Sequence, residues 1–225
     1  MTKNLLERNI SSFLNTYPKF KYYERPKKKC SILKGTIDIC DVDRNYWDSF
    51  IIEIFIEKQK YPYIVPIVKE TSVKIKRDDK WHINDDGFCC LDIDHVLEYK
   101  SKRGINITSF YQEKIYPFFA NALYKMKDGN YANDEYEHNF DGVVQFYNEK
   151  LKLNDVSVIV KILTSVFNND IPGRNQFCVC GKEIKIKNCH LSTIDFLKSL
   201  SKDRIKRDLD GFLTKQLILF FRKIK

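Results

Sequence analysis

The chain has 225 residues, 43% of them apolar and 31% charged, with a formal net charge of +9. That is enough chain for one domain of usual size plus an appendage, and the balance is that of a globular protein rather than a disordered or fibrous one. No run of about 18 apolar residues exists, so no membrane partner is expected. The first residues carry no apolar leader, so a cytoplasmic location is expected.

Leu5, Leu6, Ile10, Phe13 and Leu14 recur at helical spacing and predict an amphipathic helix over 3–16, ended by Tyr17-Pro18. Arg25-Pro-Lys-Lys-Lys29 reads as a solvated turn. Ile32–Cys40 and Ser49–Glu57 read as paired strands. Ile67–Lys76 reads as one or two more, after the proline-bracketed turn Tyr61-Pro62-Tyr-Ile-Val-Pro66. Residues 107–127 are expected to be helical with a kink at Pro117. Further helices are expected at 139–151, 154–168, 192–202 and about 204–222, and Asn169–Asn175 reads as a loop. In the last two helices Ile194, Leu197, Leu200, Leu209, Phe212, Leu213, Leu217, Phe220 and Phe221 supply an apolar face.

Charge is uneven. Residues 1–150 hold 24 Lys+Arg against 23 Asp+Glu, whereas residues 151–225 hold 15 against 7. A basic module seeks an acidic partner. Nucleic acid is disfavoured as that partner, because the tail does not interleave aromatics with its basic residues as stacking platforms require. Seven cysteines, four of them in tight pairs, point to reduced thiols in metal or catalytic use rather than to a disulfide framework.

The most informative stretch is His82-Ile-Asn-Asp-Asp-Gly-Phe-Cys-Cys-Leu-Asp92. It offers a thiol (Cys90), a side-chain amide (Asn84) able to donate to an oxyanion, and a glycine (Gly87) that lets the loop bend. A free cysteine is otherwise often a core residue. Asp92, Asp94 and His95 follow the thiol, and one of them is a candidate to orient or deprotonate an acceptor.

The order of helix, strands, Tyr-Pro-x-x-x-Pro, His-x-Asn, Gly-x-x-Cys-Leu-Asp and helices resembles the ubiquitin-conjugating enzymes over about residues 3–150. Matched residue by residue, His82 and Asn84 take the family's His and Asn positions, Cys90 the nucleophile's, and Leu91-Asp92 follow as expected. Ile83 stands where the family has Pro, the Asn84–Cys90 spacing is two residues shorter than in the common eukaryotic enzymes, and the Trp-Ser-Pro segment is replaced by Glu98–Gly104. In these departures the chain looks like the family's bacterial members. The resemblance implies an α+β fold of ubiquitin-conjugating type over 1–152, with an N-terminal helix, an antiparallel meander and C-terminal helices. It implies a transferase that takes a ubiquitin-like modifier from an activating enzyme as a thioester on Cys90 and passes it to an amine or hydroxyl of an acceptor protein. Asn84, His82 and Asp92 would assist. The alternative is an inactive adaptor of the same fold.

Residues 153–225 are expected to form a small helical module. Within it Cys178-Val-Cys180 and, with eight residues between, Cys189-His190 supply four ligands able to close a tetrahedral zinc site, and Gly181 permits the turn after the first pair. The pattern is similar to the C-terminal zinc motif of SecA type. With all four positions filled by protein, the zinc is expected to be structural.

Overall fold

The computed structural model describes residues 2–25, 29–132 and 136–224, with side chains described from Leu5 to Gln216. Most of the Arg25–Lys29 run, and the side chains of Leu217, Phe220 and Phe221, lie outside the described residues. The chain divides into two compact units, Met1–Glu135 and Tyr136–Lys225. The division falls earlier than the expected boundary after residue 152, so the helix over 139–151 belongs to the second unit.

The first unit is α+β. Helix α1 (Thr2–Thr16) buries Leu6, Ile10 and Phe13, the positions its periodicity marks. Strands β1 (Phe20–Arg25), β2 (Cys30–Cys40), β3 (Tyr46–Glu57) and β4 (Ile67–Glu70) form one antiparallel sheet in the order β1-β2-β3-β4. The register sets Leu33 opposite Ile54 and Ile37 opposite Phe50. All four are fully buried, whereas Ile51, one residue out of phase, is exposed.

The 67–76 segment yields one short strand. It stops at Glu70, whose wholly buried carboxylate pairs with Arg77, receives the Ser72 hydroxyl and accepts the Val73 N–H. A buried carboxylate needs such partners, and gathering them bends the chain off the sheet. Helix α2 (Asp94–Lys102) was not expected from the sequence.

The 107–127 helix is interrupted rather than simply kinked: α3 (Ile107–Phe110), a π-helical turn (Tyr111–Ile115), then α4 (Tyr116–Asp128). Pro117 lies in the first turn of α4, where its missing N–H costs least. Ile107, Phe110, Tyr111, Ile115, Phe119 and Leu123 complete the core against the sheet.

The second unit contains α5 (Asn139–Leu151), α6 (Val156–Phe167), α7 (Leu191–Ser199) and α8 (Lys202–Ile224). Its buried residues include Phe146, Tyr147, Ile159, Leu163, Leu197 and Phe212. The Tyr147 hydroxyl donates to the Asp208 carboxylate at 2.8 Å within that core. Among the described residues, no helix is long and apolar enough to cross a membrane.

Candidate functional site

The Cys90 loop leaves β4 and is tied back to it. Asp78 caps a 3-10 turn (Asp79–Trp81) by accepting the Trp81 N–H, and His82 closes it with a left-handed backbone. Ile83, at the resembled family's Pro position, is 1% exposed and bridges both Asp78 and Cys89. It anchors the loop by burial rather than by a fixed φ.

Asn84 is exposed. Its Oδ1 accepts the Phe88 N–H at 2.8 Å, while its backbone N–H donates to the Phe88 carbonyl at 3.1 Å. The amide Nδ2 makes no hydrogen bond among the described residues. Asn84 therefore braces the loop through Oδ1 and its backbone and leaves both amide N–H donors unused among the described residues.

Gly87 has φ +88°, and a Cβ there would lie 2.7 Å from the Glu70 carbonyl oxygen. Both facts demand glycine. Gly87→Ala should therefore destabilise the protein by at least about 2 kcal/mol, from the left-handed backbone and the displaced loop together. Urea denaturation showing an unchanged midpoint would contradict this.

The two adjacent cysteines point to opposite environments. The Cys89 N–H donates to the Val68 carbonyl at 2.8 Å, and its thiol packs against the core. Burial pushes that thiol up to about 12. Cys90 donates its N–H to the His82 carbonyl at 2.8 Å and is exposed, with Sγ 3.9 Å from the Asp92 carbonyl. Its thiol is also raised above the ordinary value, first by desolvation and then by the carboxylates of Asp94 and Asp92.

Asp92 pairs with Lys114 from the π turn and accepts the Ile93 N–H at 2.7 Å. It holds the chain after Cys90. His95 is fully buried in the first turn of α2, away from the solvent-facing position from which it could orient or deprotonate an acceptor.

Two residues that the sequence did not single out, one in α4 and one beyond it, support the loop through Trp81 and the Lys80 carbonyl. Lys125 sits over the Tyr131 ring at 3.8 Å and the Trp81 ring at 5.0 Å, and donates to the Lys80 carbonyl at 2.5 Å. Tyr131 lies 6.1 Å from the His82 ring. No spacing rule connects Trp81 with 125 and 131, so only the folded chain reveals this clasp.

In the second unit Cys178, Cys180, Cys189 and His190 come together with all four ligand atoms within 4.8 Å of one another, a cluster able to hold a metal ion. His190 Nδ1 is 3.3 Å from Cys178 Sγ and 3.2 Å from Cys189 Sγ, and Cys180 and Cys189 sulfurs are 3.6 Å apart. The sequence builds this locally. Phe177 and Lys185 pair as a β-bridge, Cys178 and Cys180 flank its turn, and Gly181 takes φ +86°. A 3-10 turn (Ile186–Asn188) then returns the chain to Cys189 and to His190 at the start of α7. The outer nitrogen, Nε2, lies 2.8 Å from the Leu151 carbonyl at the end of α5. That contact fixes the tautomer with Nε2–H donating and Nδ1 free to ligate.

Burial works to raise the Cys180 thiol, but the Lys182 N–H and the thiols of Cys178 and Cys189 bring it below the ordinary value. Cys189 is pushed up to about 12 by burial and by the thiols of Cys180 and Cys178. Three thiols this close resist ionising together, and a cation is what relieves them.

No family model matches the chain, and neither the curated proteins nor the solved structures hold a match. The case for function therefore rests on the two sites themselves.

Proposed function

We propose that the first unit is an acyl carrier of ubiquitin-conjugating type. The observation that carries this reading is the opposite disposition of the adjacent cysteines on the loop that follows a four-stranded meander: Cys89 packed inward, Cys90 exposed. An acyl carrier needs an approachable thiol bound neither by metal nor by disulfide. Cys90 thiolate would attack the activated C-terminal carbonyl of a ubiquitin-like protein held as a thioester on an activating enzyme. A new S–C bond forms and the enzyme's thiolate leaves. An acceptor amine or hydroxyl then attacks that carbonyl, loses its proton to a base, and expels the Cys90 thiolate.

In this mechanism Asn84 Nδ2 would donate to the oxyanion, His82 supplies the backbone carbonyl that fixes Cys90, and Asp92 braces the exit of the loop. With cognate modifier, activating enzyme and ATP, the protein should gain one thiol-labile adduct. Asn84→Ala should slow discharge by about 10²-fold while loading suffers less. Equal damage to both steps, with a lower melting temperature, would make Asn84 a brace only.

The adaptor reading has one observation in its favour. The Cys90 thiol is raised by desolvation, Asp94 and Asp92 rather than lowered, and a binding module has no need of a thiolate. An adaptor would take no adduct under the same conditions.

For the second unit we propose structural zinc. Tetrahedral Zn–S bonds of about 2.3 Å set sulfurs about 3.8 Å apart, close to the Cys180–Cys189 separation of 3.6 Å. Three thiolates and one imidazole are a borderline-soft set that suits zinc and leaves no open position for substrate.

A further inference from the structure

The metal-ligating hairpin has an outward face that ligation does not use. The Cys178 N–H donates to the Ile184 carbonyl at 2.9 Å, and the Ile186 N–H donates to the Gln176 carbonyl at 2.9 Å. Between these bonds Phe177 faces Lys185 across the bridge. Cys178 and Ile186 are buried, whereas Phe177 is 65% exposed, with Ile184 at 43%. An aromatic ring so exposed on a hairpin clamped by four ligands is held out rigidly rather than left loose.

Its surroundings are cationic. Arg174, Lys182, Lys185 and Lys187 are all exposed, against the single carboxylate of Glu183 in the same segment. Among the described residues none of these four makes an ion pair. The Lys187 N–H reaches the Arg174 carbonyl at 3.4 Å, which keeps both residues at the base of the hairpin.

We propose that this face binds single-stranded nucleic acid, a base stacking on Phe177 and phosphates meeting Arg174, Lys182, Lys185 and Lys187. An aromatic face accepts any unstacked base, and cations around it neutralise the strand on either side. A duplex fits less well, because its bases are already stacked and the hairpin offers no helix for a major groove. The sequence disfavours nucleic acid because aromatics and basic residues are not interleaved along the tail. Against that ground, the β-bridge sets Phe177 beside Lys185, one aromatic and one cation adjacent on the same hairpin. The proposal rests on the metal reading, since the ligands hold the ring in place, and it is independent of Cys90.

The test is fluorescence anisotropy of full-length, metal-loaded protein with a labelled single strand of about 12 nucleotides. Four phosphate contacts should weaken binding roughly 50-fold between about 50 and 200 mM salt. Phe177→Ala should weaken it about tenfold or more, and Phe177→Trp should restore it. Phe177 is not a ligand, so zinc content measured on the same samples should be unchanged. Three results would overturn the proposal: equal binding by Phe177→Ala and the parent, a duplex bound as tightly as the single strand, or capture by phosphatidylglycerol vesicles without affinity for the strand. A preparation that holds no metal when made in zinc-replete medium overturns the metal reading and this proposal with it. Metal-loaded protein that ignores the strand overturns this proposal alone.

Discussion

Removing the metal should unfold the hairpin over 174–190 and cost the second unit several kcal/mol, on the order of what structural zinc supplies to small domains. Of the side chains in that segment only Cys178, Cys180, Ile186 and His190 are buried, and Ile186 alone is aliphatic. A segment with one buried aliphatic residue and one β-bridge cannot offset the entropy of ordering its backbone. On the zinc proposal, metal ligation supplies the difference.

The loss should spread to the end of α5. There the Leu151 carbonyl faces His190 Nε2, and the Lys150 carbonyl accepts the Thr193 hydroxyl at 3.1 Å. These are last-turn carbonyls with no intrahelical partner. Chelation, or Cys178→Ser, should lower the melting temperature and deprotect amides at 147–151 and 176–189 in hydrogen exchange. Unchanged protection after the metal is gone would show that the hairpin folds on its own contacts. Loading of Cys90 should remain measurable in Cys178→Ser.

Much of this architecture is legible in the chain because it rests on local periodicity. The Ile- and Phe-rich alternation of β2 and β3, the 3.6-residue stripe of α1 and the C-x-C…C-H spacing each encode a local structure. What is not legible depends on partners distant in sequence. Strand β1 buries only Phe20, so it has no alternation to read and is defined by pairing with β2. β4 ends where Arg77 reaches Glu70. The π turn is the local solution that sends Glu113 to Lys100 and Lys114 to Asp92 ahead of Pro117. The division after residue 135 reflects burial of Phe146 and Tyr147 and the Tyr147–Asp208 bond, which draw α5 into the second unit. At the Cys90 loop the residue types were legible. The clasp of Lys125, Tyr131 and Trp81 was not.

Cys90→Ala should abolish modifier loading outright, and Cys89→Ala should not. The distinction follows from exposure: an acyl donor can reach Cys90, whereas Cys89 is packed on the core with its thiol pushed up to about 12. A pH signature accompanies it. The Cys90 thiol is raised by desolvation and by Asp94 and Asp92, so its thiolate fraction is small at neutral pH and grows through and beyond the ordinary thiol range. Alkylation by iodoacetamide should keep rising past about pH 9. Asp94→Asn removes a negative charge, lowers that pKa and should speed alkylation severalfold at mildly alkaline pH. A plateau near pH 7 would mean that the thiol is lowered instead.

The most direct test is mass spectrometry of the chain recovered from its source cells under acidic, non-reducing conditions, followed by mapping of the peptide that holds both cysteines. The carrier reading predicts a protein-sized adduct, released by dithiothreitol and carried on Cys90. An adduct on Cys89 or on a lysine, or a chain that never carries a thiol-labile adduct in cells whose conjugation is active, would contradict it.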